Sequence, residues 1–154
     1  MKRINDNHLY VAYGANTHLK SMTHRCPTSI PLGRAHIVDH ELVFHNFADV
    51  RYKMDSHCEA VLWSVSDEDL NSLDRFEGYP YHYTRNKVAV KFRDTTVMAW
   101  CYFMNEQGSN PPSDYYVDMI KEGYQDFGLD ISQIEKGLEK CKKVWHDSNT
   151  TTYV

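Results

Sequence analysis

The pattern of hydrophobic and polar positions changes from strand-like to helix-like about two-thirds of the way along the chain. Short apolar runs and apolar/polar alternation come first, and they predict strands over residues 8–13, 33–44, 58–65, 87–93 and 96–104. The last of these segments is apolar on both faces, as is typical of a central or barrel strand. The polar segment 45–56 is predicted to be a loop.

Two helices are predicted within this strand-rich part, over 17–25 and 67–76. The second has a single apolar stripe formed by Leu70, Leu73 and Phe76, which recur at helical spacing. The sequence also indicates where each helix begins or ends. Asn16 or Thr17 is predicted to cap the first helix. Ser66, in the pattern Ser66-x-x-Asp69, is predicted to start the second helix, and Gly78 is placed to end it.

Beyond a loop over 106–112, the chain becomes helical. Helices are predicted over 114–127, with Ser113 as its cap, and over 131–143, where Ser132-x-x-Glu135 has the pattern of a capping box. The polar segment 147–154 is predicted to be a loose tail.

This order of elements predicts an α+β fold, in which a mainly antiparallel sheet or small β-barrel carries flanking α-helices. The 154 residues suit one domain, 1–154, with its core between about residues 8 and 143. No internal repeat is visible in the sequence.

Composition and charge exclude several classes of function. The net charge of −4 does not favour nucleic-acid binding, and the basic cluster of Lys140, Lys142 and Lys143 suits a helix end. No apolar run has the length of a membrane span, and the first residues do not resemble a secretory signal. The four cysteines lack a CxxC pattern, so reduced thiols in a cytoplasm are expected.

Glu77 is the first candidate for catalysis. It is expected at the end of the helix over 67–76, where the helix dipole disfavours a negative charge, and aromatic neighbours surround it in the sequence. Both effects raise the pKa of a carboxyl group towards the range in which it can exchange protons near pH 7. An exposed glutamate at a helix end is the alternative interpretation.

Other constellations are less specific. Asp74 and Glu77 could form a carboxylate pair for glycoside cleavage, although Asp74 beside Arg75 reads as a surface charge. Arg85 could pair with a substrate carboxylate or with Glu77, or could be a charge at a strand edge. Nine histidines raise the possibility of a metal-dependent hydrolase, but their spacing forms no convincing ligand set, and no metal is expected.

Three motifs in order resemble the gamma-glutamylcyclotransferase family. Residues 10–16, Tyr-Val-Ala-Tyr-Gly-Ala-Asn, resemble its "YGSN" loop. Residues 70–78, Leu-Asn-Ser-Leu-Asp-Arg-Phe-Glu-Gly, match the helix before its catalytic glutamate. Residues 111–116, Pro-Pro-Ser-Asp-Tyr-Tyr, resemble its "PPSPxY" segment, in the style of the branch that acts on gamma-glutamyl amino acids. The resemblance covers roughly residues 9 to 130.

The resemblance implies a small closed barrel with one cavity at the YGSN-like loop, and an enzyme that needs no cofactor. A gamma-glutamyl amino acid would cyclise to 5-oxoproline and release its amino acid, with Glu77 as the proton shuttle. The loop would bind the substrate through backbone N–H groups, and Tyr116 would donate its hydroxyl proton. Homodimers are also a family expectation. The implied substrate-binding residues are Tyr10, Val11, Ala12, Tyr13, Gly14, Ala15, Asn16 and Tyr116.

One position departs from the family pattern, because Ala15 stands where the family has Ser. This departure leaves a catalytically inactive small-molecule or protein-binding module as an alternative. Within the enzyme hypothesis, a gamma-glutamylamine is the alternative substrate.

Overall fold

A computed structural model describes residues 7–106, 108 and 110–150, with side chains described as far as Cys141. Five strands form a closed barrel in the order β1-β3-β2-β4-β5. Four of the five pairings are antiparallel, and the parallel contact of Tyr10 in β1 with Trp100 in β5 closes the barrel. The predicted α+β barrel is therefore confirmed. The strands are β1 (His8–Ala12), β2 (Ile30–His45), β3 (Phe47–Val65), β4 (Tyr83–Phe92) and β5 (Thr95–Met104).

The prediction of a loop over 45–56 is wrong, because most of this segment belongs to β3. β2 and β3 form one long hairpin that turns at Asn46. Asn46 has a positive φ of 65°, a conformation that asparagine tolerates well. The outer arm pairs Leu42 with Val50 and His40 with Tyr52. Residues 51–55 are exposed, so they carry no apolar alternation, although backbone pairing to β2 holds them extended.

The chain after β1 forms a short 3₁₀ turn (Ala15–Thr17) and then helix α1 (Leu19–Arg25). Neither Asn16 nor Thr17 caps this helix. Instead, Nδ1 of His18 accepts a hydrogen bond from the backbone N–H of Ser21. The predicted caps were wrong because both residues belong to the preceding 3₁₀ turn.

Helices α2 (Asp67–Glu77) and α3 (Asp114–Phe127) confirm the predicted starts. Ser66 and Asp69 form a reciprocal capping box at the start of α2, and Ser113 caps α3. Gly78 ends α2 in the left-handed conformation, with φ of 66°. The sequence therefore specifies where α2 ends, and this end is the part of the helix that carries Glu77.

The last helix, α4, runs from Ser132 to Thr150. Ser132 is the first helical residue of α4 and is therefore not its cap. Its backbone N–H donates a hydrogen bond to the Asp130 carboxylate at 2.9 Å. The helix extends past residue 143, so the predicted loose tail is wrong for 147–150, while 151–154 lie outside the described residues. None of the described helices combines the length and apolar character needed to cross a membrane.

Candidate functional site

The C-terminal end of α2 opens onto a cavity of about 540 Å³ at one end of the barrel. Leu70 and Leu73 are buried and anchor the helix on the core, and the helix then ends at Glu77. Glu77 itself is half-buried and lines the cavity. The cavity is also lined by residues from β1, the 3₁₀ turn, the β2–β3 hairpin, β4, β5 and α3, among them Tyr10, Tyr13, Gly14, Ala15, Asn16, Phe47, Ala48, His82, Tyr83, Tyr102, Met104, Tyr116 and Met119.

The loop between β1 and α1 lies across the cavity from Glu77, and two glycines allow this close packing. A Cβ on Gly14 would lie 2.8 Å from Cβ of Ala48 and 3.2 Å from the hydroxyl of Tyr116. A Cβ on Gly123 of α3 would lie only 2.4 Å from Oγ1 of Thr17. Hence the loop is pressed between β3 and α3, with no room for a side chain at either glycine.

Tyr116 of α3 reaches this loop with its hydroxyl group. The hydroxyl oxygen accepts a hydrogen bond from the backbone N–H of Ala48 at 3.0 Å. Burial raises the pKa of Tyr116, and the backbone N–H groups of Ala48 and Ala15 act against this rise. Because the hydroxyl oxygen is the acceptor in its contact with Ala48, its proton is left for a partner in the cavity.

Asn16 connects the loop to Glu77. Its side-chain Nδ2 donates to the hydroxyl of Tyr10 at 2.9 Å and, with a longer contact of 3.4 Å, to Oε1 of Glu77. Its Oδ1 accepts a hydrogen bond from the guanidinium group of Arg25. Asn16 is buried, so this amide forms a fixed link between a cation, a phenol and a carboxylate.

The electrostatics of the cavity favour a carboxyl group that exchanges protons near neutral pH. Burial raises the pKa of Glu77 from 4.5 to about 7, because a charged carboxylate is poorly solvated there. The positive charge of Arg25 acts in the opposite direction and lowers this pKa. Glu77 is thus desolvated, with only partial compensation by a cation that it does not contact directly.

The carboxylate next to it on α2, Asp74, has a different environment from the one expected. Arg85 donates to Asp74 through Nε at 2.8 Å and Nη2 at 3.3 Å, and the Tyr102 hydroxyl donates at 2.6 Å. Asp74 is therefore a half-buried, paired group and not a solvated surface charge. Arg85 pairs with Asp74 and not with Glu77, and Asp74 does not line the cavity. This arrangement does not support a glycosidase-like pair of carboxylates.

The residues predicted for substrate binding divide into two groups. Tyr10, Tyr13, Gly14, Ala15, Asn16 and Tyr116 all line the cavity with Glu77. Val11 and Ala12, in contrast, are buried in the hydrophobic core and are absent from the cavity lining. Within the part of the chain that the structure describes, no three His, Cys, Asp or Glu side chains are grouped so that they could hold a metal ion.

Several site residues were missed from the sequence. Ala48 and Phe47 contribute to the cavity from the hairpin that was predicted as a loop, and Tyr83 lies at the start of β4, before the predicted strand. Arg25 was also missed, because a cation at the end of a short helix is ordinary on its own. The local sequence around Arg25 does not indicate its contact with Asn16.

Comparison with known proteins identifies the family. A family model described as gamma-glutamyl cyclotransferase, AIG2-like, matches residues 10–123. Human gamma-glutamylcyclotransferase is 27% identical over 146 residues, covering 85% of this chain and 77% of the human protein. A solved structure named gamma-glutamyl cyclotransferase is 26% identical, with a TM-score of 0.76 and coverage of 88% of this chain and 86% of its own.

A more distant structure shares the fold alone. YkqA from Bacillus subtilis is 19% identical, with a TM-score of 0.74, and the match covers 89% of this chain and 55% of YkqA. Together with the family match, the barrel and its flanking helices show that the chain belongs to the gamma-glutamyl cyclotransferase, AIG2-like family. The resemblance seen in the three sequence motifs is therefore confirmed.

Proposed function

We propose that the chain is a gamma-glutamyl cyclotransferase that converts a gamma-glutamyl amino acid into 5-oxoproline and a free amino acid. The observation that carries this proposal is the position of Glu77, a desolvated carboxyl group with a pKa of about 7, on a cavity shared with the loop at Gly14. A general base is most effective when its pKa lies near the working pH.

The reaction moves two protons from the substrate's α-nitrogen to the departing nitrogen. The α-ammonium group gives the first proton to the Glu77 carboxylate, and the resulting amine attacks the substrate's own γ-carbonyl carbon. A carbon–nitrogen bond forms to close the five-membered ring, Glu77 returns its proton to the departing nitrogen, and the original amide bond breaks. The ring nitrogen then gives its second proton, through the same carboxylate, to the released amine, which leaves as an ammonium group, so that charge and atoms balance with no water consumed.

The remaining residues of the cavity suit the developing negative charge on the carbonyl oxygen. The Tyr116 hydroxyl has a proton to donate, because it acts as the acceptor in its hydrogen bond with the backbone N–H of Ala48. Hydrogen-bond donors that are fixed before the reaction stabilise such a charge without reorganisation. In this proposal, the Tyr116 hydroxyl donates its proton to the substrate's carbonyl oxygen.

The cavity also bears on the choice of leaving group. Arg75, an exposed residue on the last turn of α2, is a permanent cation at the cavity rim. A cation there suits a leaving group with a free carboxylate, as in a gamma-glutamyl amino acid, better than an uncharged gamma-glutamylamine. This feature supports the dipeptide substrate.

The test is a panel of gamma-glutamyl dipeptides, glutathione, gamma-glutamyl-ε-lysine and a gamma-glutamyl alkylamide, with 5-oxoproline measured by mass spectrometry. We expect turnover of dipeptides that survives a chelator and is lost in Glu77→Gln. Glu135→Gln, an exposed glutamate of α4, is the matched control and should keep full activity. Binding without turnover would instead support an inactive binding module, and loss of activity with chelator would support a metal-dependent hydrolase.

A further inference from the structure

Arg25 connects two parts of the site without itself lining the cavity. It is the last residue of α1, and its guanidinium group donates to Oδ1 of Asn16 on the neighbouring loop. The central carbon of the same group lies over the ring of Phe76, 3.4 Å from the ring centroid, and Phe76 immediately precedes Glu77 on α2. Arg25 therefore links the 3₁₀ turn to the end of the helix that carries the carboxyl group.

The chemistry of arginine fixes which way the Asn16 amide points. A guanidinium group only donates hydrogen bonds, so the atom of Asn16 that faces it has to be the carbonyl oxygen. The NH₂ end of the amide is then directed towards Tyr10 and Glu77, to which it donates. In the flipped orientation, the amide would place its oxygen against a carboxylate and its NH₂ against a cation, and both contacts would be repulsive.

We propose that Arg25 is a positioning residue that acts on Glu77 through Asn16. It locks the amide so that an N–H bond always faces the carboxylate, and it holds the end of α2 in place through Phe76. It remains one side chain removed from Glu77. Its consequences for turnover rest on the proposed cyclotransferase function, whereas its effect on the carboxyl group does not.

Arg25 does not contact Glu77 directly, in contrast to the neighbouring pair of Arg85 and Asp74. Arg85 contacts Asp74 directly through two hydrogen bonds, as in a bidentate arginine–carboxylate pair. With Asn16 in between, Arg25 lowers the pKa of Glu77 only in part, and burial still raises it to about 7. The carboxyl group is thus stabilised as a base while it remains able to hold a proton.

Other groups around Glu77 are poor substitutes for this charge. Burial raises the pKa of five of them, so they are neutral near pH 7: Tyr10 of β1, Tyr13 of the loop, Tyr83 of β4, Cys101 of β5 and Tyr116 of α3. From α2 itself and the turn after it, Arg75 and His82 line the cavity. Arg25 is the cation whose charge acts on the Glu77 carboxylate in this structure.

The first test compares the pH dependence of kcat/KM in Arg25→Gln, Arg25→Lys and wild type. Arg25→Gln loses the cation, so we expect the acid limb to move upward by about one pH unit, together with a severalfold loss at the optimum. Arg25→Lys keeps the charge but loses the planar fork and the stacking on Phe76. It should keep the acid limb near its wild-type position and lose only rate, and it gives a second readout if the Gln variant does not fold.

The matched control is Arg93→Gln. Arg93 also lies over a phenylalanine ring, that of Phe92, but at the turn between β4 and β5, at the opposite end of β4 from Tyr83. Its profile should match the wild type. An Arg25→Gln profile with an unmoved acid limb would overturn the proposal, because a merely structural role lowers the rate without moving the titration.

A second test does not depend on turnover. The protein is labelled with ¹³C at glutamate carboxyl carbons, and the Glu77 signal is assigned from its absence in Glu77→Gln. We expect its midpoint near pH 7 in wild type and Arg93→Gln, and about one pH unit higher in Arg25→Gln. The same midpoint in all three proteins overturns the role of Arg25 even if 5-oxoproline is formed. Absence of 5-oxoproline with a shifted midpoint overturns the proposed function alone.

Discussion

Two carboxyl groups, Glu77 and Glu41, have opposite environments in neighbouring regions of the barrel. Glu77 lines the 540 Å³ cavity, and burial raises its pKa to about 7. Glu41 lies in a larger groove of about 730 Å³ between β2, β3 and α4. Despite its own burial, hydrogen bonds to three cations lower the pKa of Glu41 to about 2; these cations are Lys140, Arg51 and Lys53.

The difference shows that the size of a cavity does not determine the pKa of a carboxyl group that lines it. Glu41 accepts from Nζ of Lys140 at 2.6 Å and from Nε of Arg51 at 3.0 Å, so direct contact with cations compensates its charge. Glu77 is desolvated and receives a single long hydrogen bond from Asn16, so it can gain and lose a proton. Direct contact with cations therefore distinguishes Glu41 from Glu77.

The largest expected effect comes from Glu77→Gln, which removes the proposed proton shuttle. We expect turnover to fall by about 10²- to 10⁴-fold, the usual contribution of general acid–base catalysis. Gamma-glutamyl dipeptide turnover, measured by 5-oxoproline formation, tests this loss. Activity within threefold of wild type would contradict the assignment.

The same variant should be more stable than the wild type at high pH. The pKa of Glu77 is about 7 in the folded protein and near 4.5 when the chain is unfolded, so the wild type loses stability as pH rises between these values. Gln carries no such cost. Thermal unfolding at pH 8 should therefore show Glu77→Gln more stable by on the order of 1–3 kcal/mol, and this gain should disappear at pH 4.

Tyr116→Phe should have a smaller but clear effect. The change removes the proton offered to the cavity and leaves the backbone N–H of Ala48 without this acceptor. We expect kcat/KM to fall by about 10- to 100-fold, in keeping with the loss of a buried hydrogen-bonding group. Tyr115→Phe, at the neighbouring residue, which is 82% exposed, is the control and should behave as wild type.

Glu41→Gln should affect stability and leave activity unchanged. The pKa of Glu41 is lowered in the folded state, so its stabilising effect is present above about pH 4.5 and is lost as pH falls towards 2. Its three cations are about half exposed, which limits the effect to on the order of 1 kcal/mol. Denaturant unfolding at pH 7 and pH 3 measures it; an equal loss at both values would contradict this explanation.

The smallest expected effect is that of Ala15→Ser, which restores the residue typical of the family. Tyr116 contacts the backbone N–H of Ala15, and this contact does not involve the side chain. We therefore expect kcat/KM to change by no more than about threefold, within the value of one neutral hydrogen bond. A gain of a hundredfold would show that the hydroxyl binds substrate directly.

Much of the fold could be predicted from the sequence, because its local signals act over a few residues. The Ser66 capping box, the Gly78 stop and the Ser113 cap all set helix ends, and all three are present in the structure. The outer arm of the β2–β3 hairpin could not be predicted in the same way. Its exposed residues lack a periodic apolar pattern, and pairing with a distant strand keeps them extended.

The site shows the same contrast between local sequence signals and contacts of distant segments. Glu77 and the loop at Gly14 were found because they combine recognisable motifs, and the structure places both on one cavity. Arg25 and Ala48 were missed because their roles depend on contacts between distant segments: Arg25 with Phe76, and Ala48 with Tyr116. The sequence left the partner of Arg85 open, and the structure pairs it with Asp74 of α2, on a distant part of the chain.

The most direct measurement is the pH dependence of kcat/KM for a gamma-glutamyl dipeptide between pH 5 and pH 9. A proton-accepting carboxylate at position 77 predicts that activity rises through an acid limb centred near pH 7, and that this limb is absent from the residual rate of Glu77→Gln. A wild-type rate that is level from pH 5.5 to 8, or the same acid limb in Glu77→Gln, would show that another group moves the proton.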